Sequence, residues 1–196
     1  IASAVLAAAL AGCVSAPTGA PVADTAPVRV YAAGSLREAL TDIARNHEAS
    51  TGQTIALTFG ASGLLRDRIE KGESAQVFAS ADTNHPQRLA ARGGWTAPAV
   101  FTRNALCALT SEQVTATPDT LLATLLRSDV RVGTSTPGAD PSGDYAWALF
   151  RKADALHPGA YSQLNIKALK LTGGADSPKP PAGRGTYAWV MDERQA

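Results

Sequence analysis

Ser35 and Ser62 are the residues of this chain best placed to do chemistry. Each follows a short apolar, β-rich run and precedes a segment with helical spacing, Val28–Ala33 before Ser35 and Thr54–Phe59 before Ser62. A hydroxyl at a strand-to-helix turn sits where an open α/β sheet binds ligands, outside the carboxyl ends of its strands. The helix start adds unpaired N–H groups and a partial positive charge. Two such starts on consecutive turns make an anion site from uncharged donors. Gly34 and Gly63 beside the serines would let backbone come close to a ligand. Pro141-Ser142-Gly143-Asp144 is a third helix start of the same kind in the second half of the chain.

Each serine also has a plainer reading. Ser35-Leu36-Arg37-Glu38 fits the S-x-x-E capping box, which would satisfy its own helix. Ser62 has Leu65 at the matching position and would serve as a simple N-cap. At the third turn, Asp140 or Ser142 would cap. A nucleophilic Ser62 is the enzyme alternative, a serine hydrolase. The elbow it needs is G-x-S-x-G, and Gly60-Ala61-Ser62-Gly63-Leu64 has its second glycine one place early. A base is needed too. His47 falls in a helix and His85 and His157 each precede a proline, so all three read as surface residues. No Cys/His pair has metal-ligand spacing, and no P-loop lysine follows Thr134–Gly138. Arg66, Asp67, Arg68 and Glu70 read as a solvated helix face.

The elements that must carry these turns alternate. Strands are expected at Val28–Ala33, Thr54–Phe59, Gln76–Ala81, Asn104–Leu109 and Val130–Gly133. Helices are expected from Leu36 to Ala44 and beyond, from Leu64 to Ile69, and at Gln87–Arg92, Asp119–Arg127 and Gly143–Ala155. Tyr187–Ala196 reads as a helix, and Gly173–Gly185 as a Gly/Pro loop. This alternation means α/β with a mostly parallel sheet. The pattern restarts after Gly93–Pro98, which divides the chain into a first lobe over residues 28–102 and a second over 103–196, with a crossover near Phe101–Asn104.

Charge is balanced, 18 basic against 17 acidic residues, and no basic block marks a nucleic-acid surface. Residues 1–13 read as the remainder of an export signal, closed by Leu10-Ala11-Gly12-Cys13. That tetrapeptide resembles the lipobox of bacterial lipoproteins, which implies lipid on Cys13. A plain secretory signal with an incidental Cys is the alternative. Residues 14–27 are rich in Ala, Pro, Thr and Ser and read as a flexible linker. Cys107 then stands alone, either buried and inert or paired with a thiol outside this sequence.

Four stretches together resemble a known family. Val30-Tyr31-Ala32-Ala33-Gly34-Ser35-Leu36 and Phe59-Gly60-Ala61-Ser62-Gly63-Leu64-Leu65 are similar to the two serine turns of the molybdate-binding proteins of ABC importers. Gln76–Asp82 resembles that family's D-x-F-x-S-A-D stretch, and Pro141-Ser142-Gly143 its P-A-G turn. The resemblance implies a two-lobed periplasmic binding protein fold and a non-enzymatic role. The chain would capture molybdate or tungstate between the lobes and pass it to a membrane permease. It implies no cofactor, no partner beyond ligand, permease and lipid anchor, a monomer, and a place in the periplasm or outer envelope. Ser35 and Ser62 would give hydroxyl and amide donors, Ser142 a backbone amide, and Arg184 or its neighbour a further amide. The family's last ligand contact, a Tyr, and the return segment completing the first lobe are expected beyond Ala196. Gln76 stands where the family has Asp, and Ser142 where it has Ala. A binding protein of the same fold for sulfate, phosphate or a small organic anion is the nearest alternative. Molybdate carries only acceptors, so uncharged donors suit it. Phosphate keeps a proton and would want a carboxylate such as Asp140 or Asp144.

Overall fold

The computed structural model describes residues 26–177 and the backbone of 187–192. The expectations placed on Cys13, on most of the linker and on Arg184 lie outside the described residues.

The first sheet is three parallel strands in the order β2-β1-β3, with β1 Val28–Ala33, β2 Ile55–Gly60 and β3 Val77–Ala79. β1 is central and buries both faces, so its alternate residues feed two cores. Val30 and Ala32 pack with Leu36 and Ala79, against Leu40 of α1 (Arg37–Thr51). Tyr31 points the other way, to Leu65 and Ile69 of α2 (Ser62–Glu70) and Leu89 of α3 (Asn84–Ala91). α1 ends at Gly52 in the left-handed conformation, with its N–H on the Glu48 carbonyl. The apolar stripe expected on α1 is only partly used, since Ala44 is buried but Ile43 is exposed.

The second sheet runs β4-β7-β5-β6, with β4 Leu106–Thr110, β5 Arg131–Ser135, β6 Ala168–Thr172 and β7 Tyr187–Asp192. β5 is parallel to both β6 and β7, and β4 is antiparallel to β7. Its core is built from Val130, Val132, Ala146, Phe150 and Leu164, with Leu125 from α4 (Leu121–Leu126). Phe150 is wholly buried on α5 (Pro141–Leu156), and its ring lies 5.2 Å from that of Trp147. Together these features make a two-lobed α/β fold with mostly parallel sheets, as expected. No helix among the described residues is long and apolar enough to cross a membrane.

One expectation fails here, and two elements went unmarked. Tyr187–Asp192 is a strand, not a helix. Its run of Tyr, Trp and Val suits a pleated position, and ladders are available on both sides, from β4 and β5. The region after His157 also holds α6 (Ala160–Lys167) and β6, neither of which the sequence reading marked. α6 carries few apolar residues on one face, and its Ile166 is exposed.

Candidate functional site

Parallel pairing of β1 with β2 sets Ala33 opposite Gly60, so the two strands finish side by side. Ser35 and Ser62, each two residues past those ends, therefore fall on one wall. They line a single cleft of about 270 Å³, whose opposite wall is Asp140 and Ser142 from the start of α5 and Thr172 and Gly173 after β6. The cleft lies between the carboxyl ends of the two sheets, as expected for an open α/β arrangement. Its volume falls near the lower end of small-molecule sites, about 300 Å³, and suits a compact ion.

Ser35 does not form its capping box. It sits inside a 3₁₀ turn, Gly34–Leu36, and α1 begins after Leu36 with no side-chain cap. The Ser35 Oγ is buried and has no hydrogen-bond partner. The extra turn places the hydroxyl ahead of the helix, out of reach of the orphan N–H groups that a cap would satisfy. A buried hydroxyl without a partner costs about 1–3 kcal/mol, so its retention at a cleft needs an explanation. Gly34 also lines the cleft, and a side chain there would meet open space.

Ser62 is not an N-cap either. Ala61 takes that position, and Ser62 is the first residue of α2. Its Oγ accepts the Ala81 N–H at 3.1 Å. With that lone pair used, the hydroxyl proton is left to point toward an acceptor. The Ala81 carbonyl in turn accepts Tyr145 Oη at 3.1 Å and Asn104 Nδ2 at 3.3 Å, joining Ser62 to α5 through Ala81.

At the start of α5 the plainer reading, a capping residue, is the one seen. Asp140 is the N-cap, and its Oδ1 accepts the Ser142 N–H at 3.1 Å. The amide expected to face a ligand is therefore occupied by a carboxylate. The Ser142 Oγ is 2.9 Å from Ser135 Oγ, both buried. Asp144 is turned away, its Oδ1 accepting the Gly138 N–H.

Gly63 is not among the residues that line the cleft. Its N–H donates to the Ala139 carbonyl at 2.8 Å. A Cβ at Gly63 would fall 2.6 Å from the carbonyl oxygens of both Gly138 and Ala139. Glycine is needed there so that α2 can abut the loop before α5, and the contact helps hold the two halves together.

His85 is buried rather than superficial, with Nδ1 2.8 Å from the Arg66 guanidinium. The proline that follows sits within the first turn of α3, where it is tolerated, so it does not force His85 into an exposed turn. Arg66 is correspondingly buried and salt-bridged to Asp67 and Glu70, and Glu70 also meets Arg88 at 2.8 Å. The supposed solvated face is thus half structural. Arg68 and Glu73 form a separate, partly exposed group around the hydroxyl of the buried Tyr31. Hydrogen bonds from Arg68, then from Tyr31, hold the Glu73 carboxyl below its usual range. Cys107 is a free, half-buried thiol. Among the described residues no cluster of His, Cys, Asp or Glu could hold a metal ion.

Sequence reasoning missed Ala81, Tyr145, Thr172 and Gly173. Ala81 acts only through its backbone, and nothing in a sequence marks an alanine for that. A larger groove of about 580 Å³ runs past β3 and the segment 95–104, beside Val77, Trp95 and Phe101. None of the unpartnered buried hydroxyls lines it, so the smaller cleft is the better candidate.

Residues 28–194 match the profile of the family described as bacterial extracellular solute-binding protein. An uncharacterised protein of Pasteurella multocida, PM1146, is 40% identical over 170 residues, which is 86% of this chain and 70% of that protein. The molybdate-binding protein ModA of Azotobacter vinelandii is 34% identical over 80 residues, 41% of this chain and 32% of ModA. A solved structure, the periplasmic molybdate-binding protein of Azotobacter vinelandii, superposes with a TM-score of 0.62 at 17% identity, covering 84% of this chain and 71% of the other.

Proposed function

The chain belongs to the bacterial extracellular solute-binding protein family, and from that premise we propose that it captures molybdate in the Ser35–Ser62 cleft for a membrane permease. Tungstate shares the charge and shape and would bind in the same way. The observation that carries the reading is the pair of hydroxyls: Ser35 Oγ buried without a partner, Ser62 Oγ with its proton still to give, both on one small cleft. Their placement favours a ligand made of acceptors. No lysine or arginine is among the described residues that line the cleft, so the donors are uncharged. Micromolar capture needs about 8 kcal/mol, which several charge-assisted hydrogen bonds of about 1.5–3 kcal/mol each would supply after closure costs.

In this reading residues 28–102 and 103–196 act as two lobes that close on the ion by a hinge near Phe101–Asn104. Lipidation at Cys13 would hold the protein at the envelope surface, working as a monomer. An amide at Arg184 or its neighbour would add to the donor set, and the Ser142 amide would join it only once released from the Asp140 carboxylate. Ser62 is a binding group and performs no chemical step.

A second reading, phosphate or a small organic anion that carries a proton, is favoured by one observation: the Asp140 carboxylate on the cleft wall. Sulfate differs from molybdate only in size. Calorimetric titration with molybdate, tungstate, sulfate and phosphate separates these, with molybdate or tungstate expected tightest. Sulfate or phosphate binding as tight as molybdate would overturn the assignment.

A further inference from the structure

The candidate cleft for an anion has one ionisable side chain among its described lining residues, and that side chain is an acid. Asp140 is also built into place. Its Oδ1 takes the Ser142 N–H at the head of α5, the amide that a bound oxyanion would want. Behind it, Gly173 has a positive φ of 79°, and a Cβ there would fall 2.5 Å from Asp140 Cβ and 2.6 Å from Oδ2. The backbone at Gly173 thus makes room for the carboxylate. The carboxylate satisfies the N-terminal N–H and the helix dipole as a ligand anion would.

We propose that Asp140 is a tethered competitor for the ligand and sets which oxyanion the cleft accepts. This rests on the oxyanion-capture reading above. A proton-free dianion must either displace the Asp140 carboxylate from the Ser142 amide or sit against its negative charge. An anion that carries a proton can turn that proton toward Asp140 and suffers less. The carboxylate therefore lowers the affinity for every oxyanion, most for molybdate and sulfate and least for hydrogen phosphate. Its service when the cleft is empty is to keep the head of α5 capped.

The test is calorimetric titration of the full chain with molybdate, sulfate and phosphate at neutral pH, for wild type, Asp140→Asn and Asp140→Ala. Asn keeps a cap of nearly equal quality and removes the charge, so a failure of the Ala variant to fold leaves the question open to Asn. Removing one unit charge beside a dianion is expected to tighten molybdate at least about tenfold in both variants. Phosphate is expected to gain less, so that the molybdate-to-phosphate affinity ratio rises. Unchanged or weaker molybdate binding in Asp140→Asn would overturn the competitor and leave the capture reading standing. A wild type that binds none of the three, with variants that do, supports the competitor. Failure of all three proteins to bind any of the ions defeats both.

Discussion

Replacing Ser35 by alanine should move affinity and stability in opposite directions. In the empty cleft the Ser35 Oγ is buried and unpaired, a burden of about 1–3 kcal/mol on the folded state. Alanine removes that hydroxyl and fills nearly the same space. The free protein should therefore gain about 1 kcal/mol, which for a chain of this length raises the thermal midpoint by about 2–4 °C. With an oxyanion bound, the same hydroxyl donates a charge-assisted hydrogen bond of about 1.5–3 kcal/mol. Its loss should weaken molybdate binding about 10- to 150-fold. Calorimetric titration measures the second effect, and thermal unfolding without ligand the first. Ser62→Ala is the control with a different sign pattern. Ser62 Oγ accepts the Ala81 N–H, so its removal strands that amide and should cost about 1–3 kcal/mol of stability as well as affinity. A Ser35→Ala protein that is less stable and binds molybdate as well as wild type would refute the argument, because the hydroxyl would then be serving the helix.

Other perturbations test the frame around the site. Gly63→Ala would drive a methyl group into the Gly138 and Ala139 carbonyls; it should cost about 1–3 kcal/mol in urea unfolding and weaken molybdate binding by disturbing the contact between the halves. Phe150→Ala empties the middle of the second core and should cost about 3–5 kcal/mol, read as a lower urea midpoint. Glu73 is held below its usual pKa by Arg68 and Tyr31, so its contribution is present above the usual glutamate range and fades as pH falls through the lower folded value. Glu73→Gln should then be less stable than wild type at neutral pH, and the gap should close in strong acid, where urea unfolding curves of the two should coincide.

What could be read from the chain alone was whatever local chemistry controls. Alternating apolar runs and glycine stops marked β1, α1, β2, α2, β5 and α5, because side-chain period and helix ends are properties of neighbouring residues. The positions of Ser35 and Ser62 just past two strands were legible for the same reason, and so was the start of α5 near Pro141. Tertiary structure decided the rest. The capping box at Ser35 was a sound local inference that failed because the chain inserts a 3₁₀ turn there. Only the parallel register of β1 and β2 puts the two serines on one cleft, and a register is a pairing between distant residues. Tyr187–Asp192 became a strand because two other strands offered their edges to it. Gly63 meets a loop some 75 residues away, and the Ser142 amide is held by Asp140. Hydrogen-bond partners drawn from far along the chain have no local signature, so the roles of Asp140, Ala81 and Tyr145 emerge only when the two halves are folded against each other.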